Sequence, residues 1–216
     1  MTILPQSPSP ERRRSNTATA VLAGALALSA IGSLSGCVAV LAGGAVGGGL
    51  LLTDRRTSGT QLEDQGIELK AGGRVREAIG DRGHVNVTSY NRVVLISGEV
   101  PTDADKEAVG KAIGAIENVN TVVNELAVSG NSALTSRSSD AVITGRVKGA
   151  FIDAKDVQAN AVKVVTERGN VYLMGRVTEK EADRAAQVAR DVGGVLKVVR
   201  VFDILSEDQL KALTNR

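Results

Sequence analysis

An internal repeat constrains the fold of this chain more than any other feature, because the two copies must adopt the same local structure. The segment Val94–Val100 (VLISGEV) matches Val171–Val177 (VYLMGRV) at a spacing of 77 residues. Pro101 has no counterpart, and beyond it the spacing is 76, so that Thr102–Val119 aligns with Thr178–Val195. A match of this length with one gap predicts two tandem domains of the same fold.

Each copy has the same order of local signals. It begins with a helical stretch, Ile67–Ile79 in the first copy and Asp140–Phe151 in the second. Two runs of alternating β-branched residues around a turn then predict a hairpin. A Thr with an acid three residues later has the capping-box spacing that starts a second helix, and a Val-rich strand closes the unit. We therefore predict an α+β fold of two tandem small α-β-β-α-β sandwiches, each a three-stranded mixed sheet with one face covered by two helices.

Composition excludes several classes of site. The chain has one Cys and one His, which excludes a disulfide within the chain and a structural zinc site of the Cys/His type. The formal charge is +2, and residues 1–36, with three Arg and one Glu, account for all of it. The remaining chain is therefore neutral, and we do not expect a nucleic-acid partner. Aromatic residues make up only 2% of the chain, so its cores must consist of Val, Ile, Leu and Ala.

The N-terminal 37 residues have the order of an export signal. Arg12–Arg14 are basic, and the apolar run Ala18–Ile31 has 14 residues, fewer than the roughly 20 that span a bilayer as a helix. The tetrad Leu34-Ser35-Gly36-Cys37 resembles the lipobox of bacterial lipoproteins. This resemblance implies a diacylglyceryl group on the Cys37 thiol, cleavage just before Cys37, and acylation of the new amino group by a fatty acid such as palmitate.

The residue after the lipobox indicates which of the two bacterial membranes holds the anchor. Val38 stands where an Asp often retains lipoproteins at the inner membrane. This favours an anchor in the outer membrane, with the protein facing the periplasm. A transmembrane anchor is the alternative, since residues 38–52 are also apolar, but the five glycines of that run weaken a helix.

Polar, turn-prone stretches divide the rest of the chain. The predicted organisation is a signal peptide at 1–36, a lipidated tether at 37–65, a first domain at 66–129, a linker at 130–138, a second domain at 139–207 and a C-terminal tail at 208–216.

Gly98 and Gly175, each followed by a helix and a Val-rich strand, resemble the signature of the BON domain. Together with the lipobox and the segment Asp54–Asp64 (DRRTSGTQLED), the paired repeats resemble the dual BON-domain outer-membrane lipoproteins. The resemblance implies that Gly98 and Gly175 are structural glycines of two BON folds. It also implies that the protein binds anionic phospholipid at the inner leaflet of the outer membrane and supports the integrity of that membrane.

In that family the first helix of the second domain is implicated in membrane contact, which corresponds to residues 140–151 here. The residues that we expect to touch phospholipid are Val142, Ile143, Arg146, Val147 and Lys148. Ile143, Val147 and Phe151 are spaced four residues apart and form an apolar stripe, and residues 131–152 have a net charge of +2. The alternative, which we favour for Ile143, Val147 and Phe151, is that these three residues belong to the core of the domain, with the cations on a solvated face.

Motifs for catalysis are not found. His84 has no second His, and no Cys of the folded part, as a partner, and neither a Gly-x-Ser-x-Gly elbow nor a phosphate-binding glycine loop follows a strand. We therefore expect no enzyme activity, cofactor, metal or small-molecule substrate. The leading hypothesis is binding of anionic phospholipid. The alternative is an interaction module that docks an envelope protein, such as an assembly machine or a division-site component, without direct lipid recognition.

Overall fold

The first copy of the repeat consists of a long helix, a hairpin, a second helix and a final strand in two pieces. In the computed structural model, which describes residues 54–130 and 134–214, these elements are α1 (Ser58–Ile79), β1 (His84–Tyr90), β2 (Val93–Val100), α2 (Asp103–Gly114), β3 (Thr121–Asn124) and β4 (Ala127–Val128). The predicted lipobox residues Leu34, Ser35, Gly36 and Cys37 lie outside the described residues.

The second copy has the same order of elements. They are α3 (Leu134–Asp153), β5 (Val162–Glu167), β6 (Asn170–Val177), α4 (Glu179–Arg190) and β7 (Lys197–Ile204), and a short helix α5 (Glu207–Thr214) follows. A single 3-10 turn, Ala159–Ala161, leads into β5.

Both sheets have the same topology. The middle strand, β2 or β6, pairs antiparallel with the strand before it in its hairpin and parallel with the final strand of its copy. The helix between the middle and final strands makes the crossover that a parallel pair requires. The predicted α+β fold of two tandem α-β-β-α-β units is confirmed.

Carboxylates in the first helix of each copy fix the hairpin turn. Asp64 on α1 accepts hydrogen bonds from the backbone N–H groups of Asn91 and Arg92, both at 2.8 Å. Asp140 on α3 accepts the equivalent pair from Arg168 and Gly169, also at 2.8 Å. The residues at the two turns have positive φ, between 51° and 72°, which suits the right-handed twist of a tight hairpin. Asp64 and Asp140 are 76 residues apart and the turns that they bind are 77 residues apart, so the same contact occurs in both copies with a shift of one residue between helix and hairpin.

Each copy has its own apolar core between one sheet face and its two helices. In the first copy Ile67 of α1, Val94 and Ile96 of β2, and Val109 and Ile113 of α2 are at most 2% exposed. The second core has the equivalent composition, with residues of α3, β5, β6 and α4 and only Phe151 and Phe202 as aromatic members.

A third apolar cluster lies between the two sheets. Tyr90 and Leu95 of the first copy and Tyr172, Met174 and Val201 of the second are buried together in it. Leu95 alternates along β2 with the core residues Val94 and Ile96, so this cluster covers the sheet face that the helices leave open. Our expectation that each sheet buries one face was incomplete, because the second face of each sheet packs against the other copy.

Three segments that we predicted to be irregular are helical. Helix α1 begins at Ser58, inside the predicted tether 37–65, because the Thr57 hydroxyl caps it by accepting the N–H of Thr60 at 3.1 Å. Helix α3 begins at Leu134, inside the predicted linker 130–138, and α5 occupies most of the predicted tail 208–216. The tether and linker are therefore shorter than predicted.

Close backbone approach explains the glycines of the BON signature. A Cβ at Gly98 would lie 2.0 Å from the carbonyl oxygen of His84, and one at Gly175 would lie 2.4 Å from the carbonyl oxygen of Ala161. Gly98 also has a φ of 114°, a conformation that L side chains rarely adopt. Any larger residue would push the first strand of the hairpin away from the middle strand.

We expect Gly175→Ala to destabilise the protein by about 1–3 kcal/mol, because its methyl group would overlap a backbone oxygen. The matched change Gly73→Ala, on the exposed face of α1 with nothing within 4 Å of the new Cβ, should instead stabilise it by about 0.5–1 kcal/mol. Urea unfolding of both variants measures these two effects. The steric explanation is wrong if both substitutions shift the unfolding free energy in the same direction.

Candidate functional site

The outward face of α3 is an exposed ridge of apolar and small residues. Val142 is 53% exposed and Ile152 is 72% exposed, and between them lie Gly145 and Gly149, each with open space where a Cβ would be. At about 100° per residue, these four residues fall on the side of the helix that faces away from the sheet. We call them the α3 ridge.

Two cations flank the α3 ridge. Arg146 and Lys148 are both exposed, and a separation of two residues places them about 160° apart around the helix, one on each side of the ridge. Arg146 donates a hydrogen bond of 3.3 Å to the carbonyl oxygen of Gly193, in the loop between α4 and β7. An apolar ridge with a positive charge on either side suits an anionic surface.

The prediction of membrane contact is wrong for two residues. Ile143 is 8% exposed and Val147 is fully buried, and both belong to the core of the second copy together with Phe151. The helix turns its apolar stripe, formed by residues spaced four apart, towards the sheet. Neither side chain therefore reaches a membrane in this fold. Val142, Arg146 and Lys148 are accessible, as membrane contact requires.

The segment Asp54–Thr57 joins the two copies, and we call it the N-terminal clasp. Arg55 makes a two-pronged ion pair with Glu181 at the start of α4, with both N–O distances at 2.7 Å, and also donates to the carbonyl oxygen of Arg176 at 2.8 Å. The side chains of Arg55 and Glu181 are only 14% and 22% exposed. The hydrogen bonds from Arg55 lower the pKa of Glu181 despite its partial burial.

The clasp also contacts the first copy. The Arg56 guanidinium donates to Asp54 at 2.7 Å and to Asp64 at 2.9 Å, and it lies 4.0 Å from the centre of the Tyr90 ring. Burial alone would raise the pKa of Asp54, but its bonds from Arg56 outweigh burial and lower it. Since Tyr90 belongs to the cluster between the sheets, Arg56 covers one edge of that cluster.

Sequence reasoning assigned these clasp residues to the tether and so missed their role. The available signal was an Asp-Arg-Arg-Thr sequence directly before a helix, with Thr57 as the cap. Charges at such a position usually remain solvated, and only the fold brings Glu181 within reach of Arg55.

Other expected features also have a place in the fold. His84, at the start of β1, lies with its Nε2 3.1 Å from the side-chain nitrogen of Asn86.

Within residues 54–130 and 134–214, no helix is both long and apolar enough to cross a bilayer. In the same residues, no three His, Cys, Asp or Glu side chains converge as metal ligands would.

Comparison with known families matches residues 69–130 and 139–206 to the BON domain. The chain belongs to the BON-domain family. It is 40% identical to the outer membrane lipoprotein DolP of Haemophilus influenzae over 84% of this chain and 95% of that protein. It is also 33% identical to a 21 kDa hemolysin of Actinobacillus pleuropneumoniae, over 69% of this chain and 78% of that protein.

A third BON-family relative is the osmotically-inducible protein Y of Escherichia coli, 28% identical over 65% of this chain and 72% of that protein. None of the three names denotes an enzyme. The family match and the outer-membrane relative make this chain a dual BON-domain lipoprotein of the outer membrane, anchored by lipid and facing the periplasm.

We expect Arg55→Gln to destabilise this BON-domain protein by about 2 kcal/mol at neutral pH, since it removes charge-assisted bonds and leaves Glu181 partly buried without its partner. The lowered pKa of Glu181 means that the contribution is present above the ordinary value of 4.5 and is lost as pH falls through the folded-state pKa. Thermal unfolding of both proteins between pH 7 and pH 3 tests this.

The difference between wild type and Arg55→Gln should therefore shrink at acid pH. A matched control is Arg74→Gln, which removes an exposed ion pair to Glu77 within α1 and should change stability little at any pH. An equal effect of the two substitutions would contradict a structural role for the clasp.

Proposed function

We propose that this lipid-anchored protein binds anionic phospholipid through the α3 ridge and thereby supports the integrity of the outer membrane. The observation that supports the proposal is the exposure of Val142 and Ile152 between the two flanking cations Arg146 and Lys148. Apolar side chains of this kind enter the headgroup region, and cations beside them pair with phosphate groups.

The expected contact is weak by itself. Each basic residue near an anionic surface contributes roughly 1 kcal/mol, and the ridge offers two. A lipid anchor changes this balance, because tethering raises the effective concentration of the ridge at the membrane surface. Anchor and ridge together therefore suffice to hold the second BON domain against the leaflet.

A second candidate function is docking of an envelope protein. Leu62 and Leu69 on α1 are 71% and 83% exposed and lie on the same face of the helix, seven residues apart. Lys70 follows Leu69 as Arg146 follows Gly145, but α1 has Gly72 at the position of Lys148, so this face lacks the second cation of the ridge. They fit a protein partner better than a lipid headgroup.

We expect the double substitution Arg146→Glu and Lys148→Glu to weaken binding to phosphatidylglycerol vesicles roughly 30-fold or more, since about 2 kcal/mol of attraction becomes repulsion. The measurement is co-sedimentation of the chain without residues 1–37, so that a lipid anchor cannot contribute. Circular dichroism checks that the fold is intact.

The matched control reverses Lys70 and Arg76, two exposed cations on α1, the equivalent helix of the first copy. This control makes the same change in net charge and should retain most of the binding. Equal losses in both variants would point to net charge rather than the ridge, and unchanged binding by the ridge variant would favour the protein-docking alternative.

We also propose that Cys37, in the tetrad Leu34-Ser35-Gly36-Cys37, is the lipidated residue. Cys37→Ser should abolish incorporation of labelled palmitate and remove the protein from the outer-membrane fraction, because the remaining contact is weak. A Cys37→Ser protein that still fractionates with the outer membrane, with unchanged gel mobility, would contradict this.

A further inference from the structure

A buried carboxylate lies at one end of the contact between the two copies. Glu99 is on the β2 face that points towards the second copy, and it is fully buried. Among the residues that the structure describes, no donor lies within hydrogen-bonding distance of either of its carboxylate oxygens. The nearest cation is Arg168 in the opposite hairpin turn, with Nε 4.0 Å from Glu99 Oε1 and a side chain that is 42% exposed.

A second carboxylate from the other copy faces Glu99. Glu167, at the end of β5, is only 6% exposed and accepts one hydrogen bond, from the side chain of Asn86 at 2.8 Å. Burial raises the pKa of Glu167, and the charge of Glu99 raises it further. The bond from Asn86 opposes this shift without cancelling it.

The other charged groups nearby act on Glu167 in opposite directions. The charge of His84, which lies opposite Glu99 in the β1–β2 register, lowers the pKa of Glu167, and the charge of Asp140 raises it. The cavities beside Glu167 are also lined by Arg137 and Glu125. Among the described residues, the one ion pair that reaches either carboxylate is that of Arg168 with Glu99, at 4.0 Å.

The physical consequence is a preference for a proton on Glu167. A buried ionised carboxylate with one hydrogen bond is unfavourable, and the neighbouring carboxylate of Glu99 makes the ionisation of Glu167 more unfavourable still.

We propose that Glu99 and Glu167 form a proton-responsive contact between the two BON domains. The contact is tight when Glu167 is protonated and loosens when Glu167 is ionised beside the carboxylate of Glu99. The pair thus makes the packing of one domain on the other depend on the pH of the compartment.

The direction of the effect follows from proton linkage. Between the ordinary glutamate value of 4.5 and the raised pKa of Glu167, this residue binds more protons in the folded protein than in the unfolded chain, so its contribution to stability falls as pH rises. Glu181 and Asp54 have lowered pKa values and act in the opposite direction. The pH dependence of the total unfolding free energy therefore combines two opposite effects. A probe that reports only the contact between the two domains is needed.

The tyrosines provide that probe. The full chain has no Trp and two Tyr, and both of these, Tyr90 and Tyr172, lie in the cluster between the sheets. Burial raises the pKa of both to about 12, so neither titrates near neutral pH. Near-ultraviolet circular dichroism of the full chain, solubilised in detergent, therefore reports the packing of one domain on the other.

We expect the tyrosine signal of the wild type to fall reversibly as pH rises from 5 to 8, and that of Glu99→Gln to stay at its pH 5 level. Glu107→Gln, a change at an exposed position on α2, and His84→Gln should both follow the wild type. If Glu99→Gln lacks the signal at pH 5 because it does not fold, Glu167→Gln takes its place. A constant wild-type signal, a Glu variant that follows the wild type, or loss of the response in His84→Gln would overturn the proposal.

Discussion

The burial of the second face of each sheet against the other sheet is the constraint on which the rest of the structure depends. Each copy has about 60 to 70 residues, a size at which a single core provides only marginal stability. The chain has no Trp and few other aromatic residues, so the two cores consist mainly of aliphatic side chains, with Phe151 and Phe202 in the second. Tyr90 and Tyr172, two of its largest side chains, are placed between the sheets. The two BON domains therefore share a buried contact, which the ion pair of Arg55 with Glu181 joins from the side of the first copy and at one end of which Glu99 lies.

The N-terminal clasp gives the segment after the anchor a structural role. A flexible chain between a lipidated cysteine and a domain would leave both domains free to turn relative to the membrane. Here the chain reaches Asp54 and then contacts both copies within four residues, through Arg55 to Glu181 and through Arg56 to Tyr90. Any orientation imposed from the anchor side is thus transmitted to the second domain directly, and not only through α1 and the first domain.

The sequence predicted local structure well because caps, turns and repeats are local rules. Thr102 and Thr178 cap their helices as their spacing indicates, and Gly98 and Gly175 are required by backbone contacts within one hairpin. The contact between the copies was missed, although Val93–Ile96 is a continuous apolar run of the kind found in strands buried on both faces. The stripe of Ile143 and Val147 failed as a membrane prediction for a related reason. An amphipathic period fits a core and a membrane equally, and only the fold decides which side of α3 is covered.

The comparison of the two first helices explains why we assign the proposed lipid contact to the second copy. With Asp64 aligned to Asp140, 76 residues apart, Val142 and Ile152 of the ridge correspond to Gly66 and Arg76 of α1, so α1 lacks apolar residues at both ends of the equivalent ridge. The exposed Leu69 corresponds to Gly145 in the middle of the ridge, and the exposed Leu62 corresponds to Ser138 before it, so the two helices arrange their apolar side chains differently on this face. Two copies of one BON fold therefore present different faces, and function follows from these surface residues rather than from the fold itself. Because the sheets of the two copies pack against each other, a change in that packing changes the position of the α1 surface relative to the α3 ridge.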